Sequence, residues 1–375
     1  MFKIPLAECL AERCGAGYRV DAMAFTANAW PGAAYALLSA FLFGASTPLA
    51  KALLGDISPW LLAGLLYLGS GLGLFALDCL CRVTGRKLAE APLQRTDLPW
   101  LAAVILAGGV IGPLLLMLGL AATPASSAAL LLNLEGVFTL AIAWLVLREN
   151  VDWKIGFGAA AILLGASLLS WNGAGAGLGI GALAIAGACL AWAIDNNLTR
   201  KLSSADALQV AMIKGLVAGA VNTVLAWLSH AAWPGAWDIA AAGIVGFLGY
   251  GVSLTLFVLA LRHLGTARTA AYFSLAPFVG AAIAIGGFGE PLTMSFVLAA
   301  LLMGLGLYIH LAERHEHEHA HEAMAHEHRH VHDAHHHHRH EAGEPPGEPH
   351  THRHVHTRLV HRHPHYPDLH HRHSH

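Results

Sequence analysis

From residue 33 to residue 312 the sequence is a succession of apolar runs, each about 20 residues long, the length at which a helix crosses a hydrocarbon layer of about 30 Å. A chain built this way has few choices. In lipid every backbone N–H and C=O must be satisfied inside the protein, so spanning segments of this length are helices. Ten runs are read, at 33–53, 59–80, 98–119, 125–147, 153–171, 178–199, 207–229, 238–261, 268–288 and 291–312. Only 12% of the 375 residues are Asp, Glu, Lys or Arg, about half the share of an ordinary soluble domain. The expected fold is therefore an all-α polytopic membrane protein, and its net charge of −2 gives nothing for a nucleic acid to bind.

Loop charge sets the orientation, because Lys and Arg in short loops stay on the cytoplasmic side. Arg82, Arg86, Lys87 and Arg95 follow the second run, Arg148 and Lys154 the fourth, Arg200 and Lys201 the sixth, and Arg262 and Arg268 the eighth. The alternate loops, 121–124, 172–177, 230–237 and 289–291, carry no Lys or Arg. Both termini are thus expected in the cytoplasm, in a cytoplasmic membrane. Trp30, Trp60, Trp100, Trp153, Trp171, Trp233 and Trp237 lie near the run ends as an interfacial belt, and Lys51 is expected to snorkel to the outer surface. Residues 1–32 read as an N-terminal extension, with Met23 an alternative start, and the five cysteines have no framework spacing.

An offset of 141 residues lays 118–149 on 259–290 without a gap, matching Leu118 to Leu259, Leu134 to Leu275, Ala141-Ile142-Ala143 to Ala282-Ile283-Ala284, and Glu149 to Glu290. The basic loops exchange sides under the same shift. The expectation is two inverted five-helix repeats, 33–171 and 178–312, an arrangement that places a substrate site between the halves. The segments LLNLEGVFTLAIAWLVLRE (131–149) and AWAIDNNLTRK (191–201) resemble the fourth and sixth helices of EamA-type carriers of the drug/metabolite transporter superfamily. That resemblance implies an ion- or exchange-driven carrier of a small solute, often an exporter, and leaves the solute open. Gly136 departs from it, since the family often has Pro there, as Pro277 in the second half does.

Ionisable side chains within spans are costly and are read first as functional. Glu135, with Asn133 nearby, lies near the middle of the fourth run, where it could exchange a proton, contact a cationic substrate group, or make a neutral interhelical hydrogen bond. Asp195, beside Asn196 and Asn197 on the sixth run, lies at a depth similar to Lys214 on the seventh, so a buried pair is expected, as clamp or gate. Asp78 and Glu290 read as structural, the latter at the start of the tenth helix. Gly215 and Gly219, and Gly243, Gly246 and Gly249, read as close-packing faces; Pro48, Pro113 and Pro277 read as kinks or hinges.

Residues 313–375 hold 24 of the 27 histidines and read as a disordered cytoplasmic tail. Three HExxH matches there, at His315–His319, His317–His321 and His326–His330, arise from composition; a polar tail with no surrounding fold builds no catalytic site, so no enzyme is expected. Neutral imidazoles suit divalent transition metals, and His315, His317, His319, His321, His326, His328, His330, His335, His336, His337 and His338 are the candidate ligands. A tail sensing acidity or binding anionic headgroups is the rival account. No cofactor is expected to be required. The expected partners are the lipid bilayer, a small-molecule or metal-ion substrate, and a second copy in a homodimer; a membrane-anchored metal sensor is the non-transport alternative.

Overall fold

The computed structural model describes residues 29–83, 93–146, 153–170, 179–199, 202, 206–264, 269, 272–312, 316–321, 324–330, 350–356 and 359–364. Helices occupy all ten expected positions. They are α1 (Ala29–Leu53), α2 (Pro59–Val83), α3 (98–121), α4 (125–145), α5 (Trp153–Ser170), α6 (Ile180–Thr199), α7 (Ala207–Leu228), α8 (236–264), α9 (Ala276–Phe288) and α10 (Met294–Ala312). Seven helices among the described residues are long and apolar enough to cross a membrane; Gly156–Ser170, Ala276–Phe288 and Met294–Ile309 are shorter apolar helices. Large apolar side chains face outward along them, including Leu72, Phe75, Leu106, Leu164, Trp227, Leu301 and Tyr308. Lipid is the solvent for such a surface. Of the expected tryptophan belt, Trp153, Trp233 and Trp237 are well exposed, Trp100 less so and Trp60 half-buried; the side chains of Trp30 and Trp171 lie outside the described residues.

The helices pack by exchange between the halves. α1 lies against α8 and α9 as α6 lies against α3 and α4, while α2 meets α7, α4 meets α9, and α5 meets α10. Small residues permit the closest of these approaches. A Cβ on Gly215 would come within 2.8 Å of the Cα and N of Gly71, and one on Gly219 within 2.5 Å of the Leu68 nitrogen, so α2 and α7 touch backbone to backbone. Gly246 packs just as closely on the Leu66 carbonyl, whereas a Cβ on Gly243 would meet nothing within 4 Å. At that contact the glycine that is needed is Gly69, whose Cβ would run into the Gly243 backbone.

Four helices are not simple rods. α3 contains a π-helical turn, Ile105–Ile111, between Leu98–Val104 and Gly112–Ala121, and α8 contains one, Phe247–Val252, between Ala236–Gly246 and Ser253–Leu264. The turns close with Gly112 N–H bonding Ala107 O and Ser253 N–H bonding Leu248 O, two bonds 141 residues apart. α4 is broken at Leu132–Asn133 into Ala125–Leu131 and Leu134–Leu145; the chain likewise turns at Ser274–Leu275, between helical residues at 269 and 272–273 and the restart of the helix at Ala276. Pro277 explains the restart of α9, since a proline at the first turn has no N–H to carry a helix back across the turn. Pro113 opens the second piece of α3 in the same way.

The described tail residues form four strands: β1 (Glu316–His321), β2 (Met324–His330), β3 (His350–His356) and β4 (Leu359–Pro364), with β1 antiparallel to β4 and β2 to β3. The low-complexity sequence reads as unstructured, but its HxH alternation has the period of a strand. In register, His317 stands opposite His363, His319 opposite His361, His326 opposite His354, His328 opposite His352, and His330 opposite His350. His315 and His335 to His338, Met23 and the loop residues Arg86 and Asn172 lie outside the described residues.

Gly215→Leu is expected to cost more than about 2 kcal/mol, because backbone fills the space the side chain needs. Gly286→Ala, at a position where a Cβ meets nothing within 4 Å, is its control and should be neutral. Thermal unfolding of the two purified variants in detergent checks this.

Candidate functional site at the interrupted helices

The site grows from a backbone defect. In α3, Gly112 donates back five residues to Ala107 and Pro113 has no N–H, so the carbonyls of Gly108 and Gly109 lose their usual helical donors. Side chains from three other helices replace them. Tyr67 of α2 donates its hydroxyl to Gly108 O at 2.8 Å, Trp192 of α6 donates Nε1–H to the same oxygen at 3.0 Å, and Asn222 of α7 donates Nδ2–H to Gly109 O at 3.2 Å. All three residues are buried.

The same turn brings the expected ion pair together. Lys214 Nζ donates to Asp195 Oδ2, and Thr199 Oγ1 donates to Asp195 Oδ1 at 3.1 Å. Asp195 lies against the Cα of Gly108, where any side chain would overlap its carboxylate, and Lys214 passes beside Gly109. At the matching turn of α8 the neighbour of Gly249 is Ser46, so only one half places a charge there.

Glu135 opens the second piece of α4, one residue past the break. The break is tightened by short-range bonds, Leu132 N to Ala129 O, Asn133 N to Leu130 O and Glu135 N to Leu132 O, at 3.1–3.2 Å. Asn133, expected beside Glu135, turns its amide to Leu130 O at 2.8 Å, a second bond to the carbonyl that its own N–H already meets. The partner of Glu135 is Asn196, whose Nδ2–H donates to Oε1 at 2.8 Å. Asn197 bonds Ala193 O at 2.8 Å and reaches Thr139 O of α4 at 3.4 Å. Adjacent residues of α6 thus join Glu135 to the Asp195–Lys214 pair, two sites that the sequence alone left separate. Sequence reading missed Tyr67, Trp192 and Asn222; the signal for them was the Gly108-Gly109…Pro113 run, which predicts unpaired carbonyls.

At one end of the bundle Ala125–Leu131 packs against α9. No comparable packing joins Leu134–Leu145 to α9 among the described residues, and there Asn196 is exposed and Glu135 half-buried. The bundle is closed at the end that holds Lys51, where Ala125–Leu131 packs on α9. Lys51, expected to reach the outer surface, donates from Nζ to Leu120 O and Ala121 O where α3 ends. One expectation at the closed end changes. Glu290 does not serve α10, which starts at Met294; its carboxylate accepts from Ala125 N–H and Ser126 N–H of α4. Asp78 pairs with Arg82 at 2.8 Å, four residues on along α2.

A helical membrane bundle with interrupted helices around a charged cleft is the architecture of a transporter. The chain belongs to the EamA-like transporter family, whose sequence model matches it twice, over residues 30–171 and 179–312. It is also similar to an uncharacterized transporter of Methanothermobacter thermautotrophicus, 27% identical over 289 residues that cover 73% of this chain and 84% of the relative. A solved crystal structure of a protein, 19% identical, shares the fold with a TM-score of 0.55 over 74% of this chain and 96% of that one.

Lys214→Met is expected to destabilise the protein by about 3–5 kcal/mol, since it leaves the Asp195 carboxylate buried without its counter-charge. Asp195→Asn combined with Lys214→Met should recover most of that loss. Thermal unfolding of the single and double variants in detergent measures both.

Proposed function

We propose that the protein is a secondary transporter that exports a small solute from the cytoplasm by alternating access between two inverted five-helix halves, with Glu135 as the group that couples transport to a proton or holds a cationic part of the solute. The observation that carries this reading is the accessible carboxylate at the break in α4, bonded across to α6, where the two halves meet. The 141-residue offset, which relates both the sequence and the π-turn bonds, supports the inverted repeat. The basic loops support a cytoplasmic-membrane orientation with both termini inside, so that the closed Lys51 end is the outer one. Export is the direction that family resemblance implies.

The tail carries the second part of the proposal, binding of divalent transition metal. Histidine stands opposite histidine at five positions of the two ladders. A tail so rich in neutral imidazoles suits divalent transition metal. It also favours a second reading, in which Ni, Co or Zn is itself the cargo, delivered or sensed by the tail.

Flux into inside-out vesicles under a pH gradient, screened across amino acids and Ni, Co and Zn, tests the first part. Glu135→Gln keeps size and one hydrogen bond, so insertion should persist while pH-driven flux falls by at least about tenfold. Unchanged flux and pH dependence would remove Glu135 and turn attention to Asp195 and Lys214. For the tail, deletion after Leu311 should leave an inserted carrier and remove most high-capacity metal binding. In the full-length protein that binding should weaken below about pH 6, where protonated imidazole no longer ligates. Metal retained by the deletion, or binding that ignores pH, would reject a metal role for the tail.

A further inference from the structure

The closed end is held by two charges that belong to neither the cleft nor the tail. Pro124 precedes the first piece of α4 and offers no side-chain cap, so the first amides of that helix lack local acceptors. Glu290 supplies both from the connection that follows α9, accepting from Ala125 N–H at 2.7 Å and from Ser126 N–H at 2.8 Å. Gly289 aims it. It ends α9 in the left-handed conformation, φ +69°, which favours glycine and turns the chain towards α4. On the other side of the α3–α4 connection, Lys51 of α1 donates to Leu120 O at 2.6 Å and to Ala121 O at 3.2 Å. A cation from α1 and an anion from the α9–α10 connection therefore grip the two helix ends that flank this turn. Glu290 belongs to the second half in sequence and α4 to the first, so its grip crosses between the halves, while Lys51 braces the end of α3 within the first.

We propose that Glu290, assisted by Lys51, is the latch of the outer gate: a positioning residue whose two bonds to α4 favour the outward-closed state, and which must let go for the cleft to open outward. This rests on the alternating-access reading above. The chemistry suits a reversible latch. At the end of the bundle the parted carboxylate, ammonium and backbone groups can all return to water, so the bonds bias the equilibrium without fixing it. The carboxylate accepts one charge-assisted bond through each of its oxygens, which a neutral amide cannot match because one of its two arms is a donor.

Sidedness of a probe in the cleft tests this on the full-length protein in membrane vesicles. Asn196→Cys, in a background lacking the other five cysteines, places a thiol beside Glu135; a membrane-impermeant maleimide is applied to right-side-out and to inside-out vesicles. With Glu290 intact, labelling should come from the cytoplasmic side. Glu290→Ala should raise the ratio of outer to inner labelling by about tenfold or more, the change expected from losing bonds to a charged group, and Lys51→Met should move it the same way. Glu290→Gln keeps one acceptor and should give a smaller shift in the same direction, which serves if the alanine variant fails to accumulate. Hydrogen exchange at the amides of Ala125 and Ser126 should accelerate in each Glu290 variant that shifts the ratio. One-sided labelling that no Glu290 variant alters overturns the latch and leaves the carrier reading standing. Equal labelling from both sides, or none from either, with Glu290 intact overturns the carrier reading and the latch with it.

Discussion

A backbone carbonyl without a donor is tolerated in water and costly in hydrocarbon, and the centre of this protein is organised around two of them. Pro113 and the π turn before it strip the carbonyls of Gly108 and Gly109 of their usual partners. Tyr67, Trp192 and Asn222 restore the bonds from three different helices, which draws α2, α6 and α7 onto α3. With α6 and α7 in place, Asp195 and Lys214 meet, and the next residue of α6, Asn196, reaches Glu135. One missing N–H thus gathers the whole polar cluster. The same absence makes glycine necessary at Gly108, because the Asp195 carboxylate occupies the space a side chain would need.

The two halves use one plan and differ where chemistry is required. Both carry a π turn closed by equivalent bonds, and both interrupt the helix that follows it. In the first half the α3 turn faces an aspartate and the broken α4 carries a glutamate. In the second, Gly249 faces Ser46, and Ala276 stands where the repeat sets Glu135. Matching turns that carry different charge are what the alternating-access reading proposed above would use. Around them, contacts such as Gly215 on Gly71 need no specific bonds: in lipid there is no hydrophobic drive between helices, and close approach gains dispersion contacts along the whole crossing.

The sequence by itself determined that the chain is a series of apolar helices and roughly where they lie, because the length of an apolar run is set by the solvent it must cross and needs no tertiary partner. It also located Glu135, Asp195 and Lys214, since a charge within such a run stands out by its cost. What it could not assign was partnership. Asn133, near Glu135 in the sequence, bonds Leu130 instead, and Glu135 is met by Asn196 from a helix about 60 residues away. Lys51 read as reaching the interface and Glu290 as starting the tenth helix, and only the fold brings them to the ends of α3 and α4. Hydropathy measures each residue against the membrane; a hydrogen bond depends on where two helices sit relative to one another, and that is decided only when the bundle closes.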